Sequence, residues 1–199
     1  MRDSLSAATE TLSYKPDSLD LRLKKASWNV LLEQWQYARD EYDYVLRRDP
    51  NNIAALFYRA YVNEKQHRYN FARLDYESLI SIIPRHFEAR LGLALLNQKD
   101  NHFTEAMDQI NKLVDLYPDS AVAYAARAGM ELERKMYDLA EFDYSKAIEL
   151  DPSNIDYRLG RVNVRIILKR KDEAREDLDA LVKKGIPRAN LVELYQKCR

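Results

Sequence analysis

The side chains able to hold a partner, or one another, recur at a fixed spacing. Lys25, Arg59, Arg127 and Arg161 are each followed sixteen residues later by a carboxylate, at Glu41, Asp75, Asp143 and Asp177. Where an apolar residue, Leu93, stands in the cation's place, an amide, Gln109, stands in the anion's. Loss of both charges together points to a contact between two helices. The structural reading is a set of partly buried ion pairs that fix helix register; the functional reading is that the arginines bind an anion. A second series, Arg158, Arg161, Arg165 and Lys169, recurs every three or four residues and runs into Lys169-Arg170-Lys171. It either presents an anionic partner with a charged helix face, or is a solvated face with Arg161 paired to Asp177.

Reaction chemistry is not in view. His67 and His102 occupy nearly equivalent turns, and with no cysteine or second histidine nearby no metal site is expected. The four glycines are scattered, so no glycine-rich loop could cradle a phosphate. Carboxylates are plentiful but follow helix-surface spacing and form no isolated pair. The expectation is a protein that is not an enzyme and holds no cofactor. With 32 basic against 32 acidic residues there is no net field to draw nucleic acid. No apolar run approaches the roughly 20 residues of a membrane span, and MRDSLSAATETL lacks the charged-then-apolar layout of a secretory leader. Cys198 is the one cysteine, which excludes an internal disulfide. Compartment and self-association are left open.

The elements that must position these residues are punctuated by proline. Pro16, Pro50, Pro84, Pro118 and Pro152 stand 34 residues apart, and Pro187 follows after one more. A fixed period of that length marks an array of helix–turn–helix units. Ser18, Asn52, Ser120 and Asn154 lie two residues beyond a proline as helix N-caps, with His86 in the same place in the third unit. First helices are predicted near 19–32, 53–66, 87–100, 121–134 and 155–168, and second helices near 35–48, 69–82, 103–116, 137–150 and 171–184. Met1 to Lys15 reads as a second helix without its first, either a cap or the cut edge of a longer array. Lys183-Lys184-Gly185 reads as a glycine helix stop. Pro187 to Arg199 reads as a final amphipathic helix whose Leu191, Leu194 and Tyr195 cover the fifth unit.

Numbering each unit so that its closing proline is position 32 aligns Ala38, Ala72, Ala106, Ala140 and Ala174 at position 20. It aligns Ala26, Ala60, Ala94, Ala128 and Val162 at position 8. Small residues on both helices mean a close crossing. Large groups fill the wedge beside it: Trp35, Tyr69, Phe103 and Tyr137 at position 17, then Tyr42, Tyr76, Ile110, Tyr144 and Leu178 at position 24. In this pattern the sequence resembles the tetratricopeptide repeat over residues 19–186. It departs in placing Arg22, Leu56, Arg90, Tyr124 and Arg158 at position 4, where tryptophan is frequent in the family. It also lacks glycine at position 8, and Lys171 replaces the fifth aromatic.

The resemblance implies an all-α, right-handed α-solenoid of five helix–turn–helix repeats with extra terminal helices. Its parts would be a cap or half-repeat at 1–15, repeats at about 19–52, 53–86, 87–120, 121–154 and 155–186, and a capping helix at 187–199. It also implies that positions 2, 5, 9 and 12 face a concave groove. The candidate peptide-binding residues there are Leu23, Phe57, Tyr61, Leu91, Leu95, Ala125, Gly129, Leu159 and Asn163, with Tyr58 flanking them at position 6. This face is mostly small or apolar where a solvated one would be polar, so it invites a partner helix or extended peptide. The alternative is that curvature hides it against neighbouring repeats. Phe57, Tyr58 and Tyr61 are the expected anchors, Tyr61 being removable at little cost in stability. Gly92, Ala125, Ala126 and Gly129 would leave room for a partner's bulky side chains. The carboxylate clamp of some family members needs lysine at position 5 and asparagine at position 9, where Leu23 with Ser27 and Phe57 with Tyr61 stand instead. Acidic peptide tails held in that way are therefore not expected. The function implied is an interaction scaffold for a protein or peptide partner. The alternative is a structural arm of a larger protein or assembly, with no ligand of its own.

Overall fold

A computed structural model describes residues 2–199, and no strand occurs among them. Helix α1, Arg2–Tyr14, precedes five helix pairs. These are α2 Leu19–Leu31 and α3 Trp35–Arg48; α4 Ile53–Lys65 and α5 Tyr69–Ile82; α6 Phe87–Lys99 and α7 Phe103–Leu116. Then come α8 Ala121–Glu133 and α9 Tyr137–Leu150, with α10 Ile155–Ile167 and α11 Lys171–Lys183. The predicted limits agree with these to within one residue. The fold is thus all-α, a solenoid-class array of helix–turn–helix repeats. The C-terminal segment differs from expectation: it is a 3-10 turn, Arg188–Leu191, followed by a six-residue α12, Val192–Lys197. Leu191 is buried in the fifth repeat's core, with Leu194 and Tyr195 packed at its margin as predicted and Cys198 buried beside them.

Local chemistry explains the helix limits. Each first helix is capped by a side chain that accepts a backbone N–H of its first turn, as Asn52 does from Ala55 at 3.0 Å. His86 does the same through Nδ1, accepting from Ala89 at 3.2 Å, so all five register-equivalent residues are caps. Each first helix ends in a left-handed residue: Glu33, His67, Asn101, Lys135 and Lys169 all have φ between 56° and 61°. The next N–H then reaches back to the helix, as when Arg68 donates to the Asn63 carbonyl at 2.8 Å. This closure usually takes glycine, because a Cβ costs roughly 1–2 kcal/mol in that conformation. Glycine does close α11: Gly185 has φ 96°, and Ile186 donates to the Leu181 carbonyl at 3.1 Å.

Packing follows the small residues. All five position-20 alanines and all five position-8 residues are essentially removed from solvent. The aromatic layer is less uniform, for Tyr42 and Tyr76 are buried while Phe103 is 38% exposed. By its contacts the chain divides into two compact units, residues 1–106 and 107–199. In the first unit Ala26, Ala38, Tyr42, Val45, Ala60, Ala72 and Leu79 belong to one core, against which Leu23, Trp35, Phe57 and Tyr61 are packed. In the second unit Val162, Ala174, Leu178 and Leu181 form the core of the fifth repeat. Complete burial of a leucine of this kind contributes about 1.5–3 kcal/mol.

Neighbouring repeats interlock through a pair of positions. The Tyr76 ring occupies the space above Gly92, where a Cβ would stand 2.7 Å from it, and the Tyr144 ring does the same above Gly160 at 2.5 Å. In the first pair of repeats the equivalents are both tyrosine, and Tyr42 stacks on Tyr58 with centroids 6.2 Å apart. The room attributed to Gly92 is therefore filled by the protein itself. Gly129 differs, its nearest neighbour being the Tyr144 hydroxyl at 4.0 Å.

Candidate functional site

The charged series resolves into a ladder. Arg59 holds Asp75 with two bonds, Nε at 3.0 Å and Nη2 at 2.6 Å, and Arg127 and Arg161 hold Asp143 and Asp177 in the same forked way. Lys25 donates to Glu41 at 2.6 Å. The third guanidinium nitrogen of each arginine crosses to the preceding repeat: Arg59 to Asp43 at 2.8 Å, Arg127 to Asn111 at 3.2 Å and Arg161 to the Ser145 hydroxyl at 2.9 Å. One planar side chain thus joins two helices of its own repeat to the second helix before it. Burial raises Asp75 above the usual carboxylate range against the pull of Arg59, while the bond to Asp143 raises Arg127. These arginines serve register, as the structural reading had it.

The basic series near the C-terminus is likewise engaged. Asp177 accepts from Arg158 at 3.2 Å, from Arg161 at 2.6 Å and from Arg165 at 2.9 Å. Arg165 also reaches Glu141 at 2.8 Å, and Arg170 pairs with Glu141 and Asp138. Carboxylates of the protein itself thus hold the four arginines of this stretch, the donors that an anionic ligand would otherwise take. Arginine at position 4 has its own use. Arg22 and Arg90 each donate to the carbonyl of the proline six residues earlier, at 2.8 Å and 2.6 Å, pinning the loop before the helix.

The apolar candidates divide between the two units. In the first, Leu23, Phe57, Tyr61 and Leu91 are half-buried, whereas Tyr58 and Leu95 are 46% and 44% exposed. Phe57 is the hub of an aromatic group, meeting Tyr58 edge-on at 5.3 Å, Tyr76 at 6.1 Å and the His86 ring at 5.8 Å between centroids. Tyr61 packs edge-on against Trp35 at 6.2 Å. The expectation that Tyr61 could be truncated at little cost is therefore withdrawn, since its ring is part of the packing between repeats. Beside these residues Lys99 bridges to Glu64 at 3.0 Å, giving the apolar strip a polar margin. In the second unit Ala125, Gly129 and Leu159 are half-buried, Leu159 against the fifth-repeat core, and Asn163 is exposed.

A further exposed apolar feature went unread in the sequence. On α5, Phe71 and Leu74 are 53% and 59% exposed, and the Arg68 guanidinium lies over the Phe71 ring at 4.2 Å. They border a cavity of about 250 Å³ that the Arg59–Asp75 pair also lines. The register equivalents on α9, Leu139 and Phe142, are 51% and 65% exposed. Those positions are acidic in the third and fifth repeats, so the alternation was visible in the alignment of units.

Among the described residues no helix is long and apolar enough to cross a membrane. No curated protein matches the sequence. Two sequence models described as tetratricopeptide repeat match residues 88–120 and 121–154. Among solved structures, a tetratricopeptide repeat protein from Parabacteroides merdae is 20% identical with a TM-score of 0.72, the match covering 99% of this chain and 77% of that one. PilF of Pseudomonas aeruginosa is 18% identical with a TM-score of 0.72, over 96% of this chain and 85% of its own. YrrB, described as a TPR protein with an unusual peptide-binding site, is 17% identical with a TM-score of 0.64, over 90% and 92%. With two units matched by sequence, residues 88–154 are tetratricopeptide repeats, and helix pairs of the same register stand before and after them.

Proposed function

We propose that the protein is an interaction scaffold that takes a peptide or helix of a protein partner onto the apolar faces of its first helices, α4 and α6 foremost. The family's repeats serve as protein-binding scaffolds, and YrrB shows that a neighbour of this fold has a peptide-binding site. The observation that carries the reading is the strip Phe57, Tyr58, Tyr61, Leu91 and Leu95, with two members more than 40% exposed. Exposed aromatic and aliphatic groups on a rigid, well-packed base are what an anchor residue requires. A polar margin of the Glu64–Lys99 kind matches the rim of such interfaces. The alternative, a structural arm with no ligand, draws on the packing of Phe57 and Tyr61 into the repeats themselves.

Pull-down with the wild-type chain and with Leu95→Asp separates the two. The scaffold reading expects a specific partner to be retained by the wild type and lost by the variant, with the helical spectrum and melting unchanged. Equal retention by both proteins would remove the first-helix face as the site.

A further inference from the structure

We propose that Glu131 keeps a proton in the folded fourth repeat and donates it to Asp143, so that loss of this proton as pH rises loosens the α8–α9 pair. Asn29, Asn63, Asn97, Glu131 and Arg165 share one register position. In the second repeat the amide of Asn63 donates to Asp75 at 3.2 Å, beside the Arg59 fork. The fourth repeat has the same fork, Arg127 on Asp143, but a carboxyl in place of the amide. Glu131 is 5% exposed, its buried Oε2 has no partner, and its register position is the one from which Asn63 reaches Asp75, the equivalent of Asp143. Two carboxylates cannot share that space at little cost, and only a protonated one can donate. Asp143 already accepts two guanidinium bonds, so the proton belongs on Glu131.

The position that would otherwise relieve Glu131 is occupied by an apolar residue. Twenty-four residues earlier in each case, Arg73 donates to Asn97 at 2.8 Å and Glu141 accepts from Arg165 at 2.8 Å. The equivalent for Glu131 is Met107, which offers neither charge nor donor. The charged groups acting on Glu131 are Arg127 of its own helix and Asp143 of α9. On α7, Asn111 is taken up by Arg127 and the ionisable Asp108 and Lys112 are exposed. On α10, Arg158, Arg161 and Arg165 are bound to Asp177. Burial first, and the Asp143 charge second, push the Glu131 carboxyl up to about 7.

The folded protein therefore binds this proton more tightly than the unfolded chain. Its contribution to stability is complete below the ordinary glutamate range and is lost as pH rises through the folded value. Carbon-13 NMR of the wild-type side-chain carboxyls reads the site directly, Glu131→Gln assigning the resonance. A Glu131 midpoint near 7 is expected. Melting temperature compared between wild type and Glu131→Gln supplies the second readout. Gln supplies an amide donor as Asn63 does, so the wild type should lose melting temperature relative to the variant between pH 5 and 8. A midpoint near the ordinary glutamate value, or parallel pH profiles of the two proteins, would overturn the proposal.

Discussion

At the residue scale the pairings were legible and their geometry was not. The joint loss of charge at Leu93 and Gln109 identified the cation–anion partners from one sequence, because a buried charge without its partner is too costly to keep. What periodicity could not show is that each arginine also reaches back one repeat. A double-mutant cycle on Arg127 and Asp143 should give a coupling of about 0.5–3 kcal/mol, since the pair is forked and partly buried; additive single effects in chemical denaturation would contradict the contact. The glycines supply a sharper contrast. In a helix interior, alanine in place of glycine ordinarily stabilises by about 0.5–1 kcal/mol. Gly129→Ala should do so, the nearest atom to the added Cβ being the Tyr144 hydroxyl at 4.0 Å. Gly160→Ala meets the Tyr144 ring at 2.5 Å, and overpacking of about 1–3 kcal/mol should reverse the sign. Melting curves for the two variants moving in the same direction would refute the interlock.

At the scale of the element, proline spacing and cap residues located every helix of the five repeats, because both act through local sterics and backbone hydrogen bonds. The turns between paired helices were less legible. Their left-handed residue is Glu33, His67, Asn101, Lys135 or Lys169, none of which announces a positive φ as glycine does. The last segment was misjudged in form for a related reason. Its apolar spacing is helical, yet Leu191 enters the core through a 3-10 turn, and the buried Cys198 closes it. The close crossing of paired helices is testable in the second unit. Ala140 on α9 is fully buried, and Ala140→Leu should destabilise by about 1–3 kcal/mol. An unchanged denaturation midpoint would mean that α8 and α9 do not cross there.

At the scale of the whole molecule the sequence disclosed the repeat architecture, since a 34-residue period in which nine of ten crossing positions are alanine leaves few other arrangements. The proposed binding face was only partly legible. Register assigned Phe57, Tyr58, Tyr61, Leu91 and Leu95 to the first helices, but whether a half-buried ring serves packing or a partner depends on exposure, which only coordinates supply. Exposure also brought out the second apolar surface, at Phe71 and Leu74 on α5. The most direct test is therefore a titration of the captured partner against Leu95→Asp on the first-helix face and Leu74→Asp on the second-helix face. A loss of roughly 2 kcal/mol, about thirtyfold, confined to Leu95→Asp is predicted; the same loss confined to Leu74→Asp would move the site to the opposite helices and contradict the account.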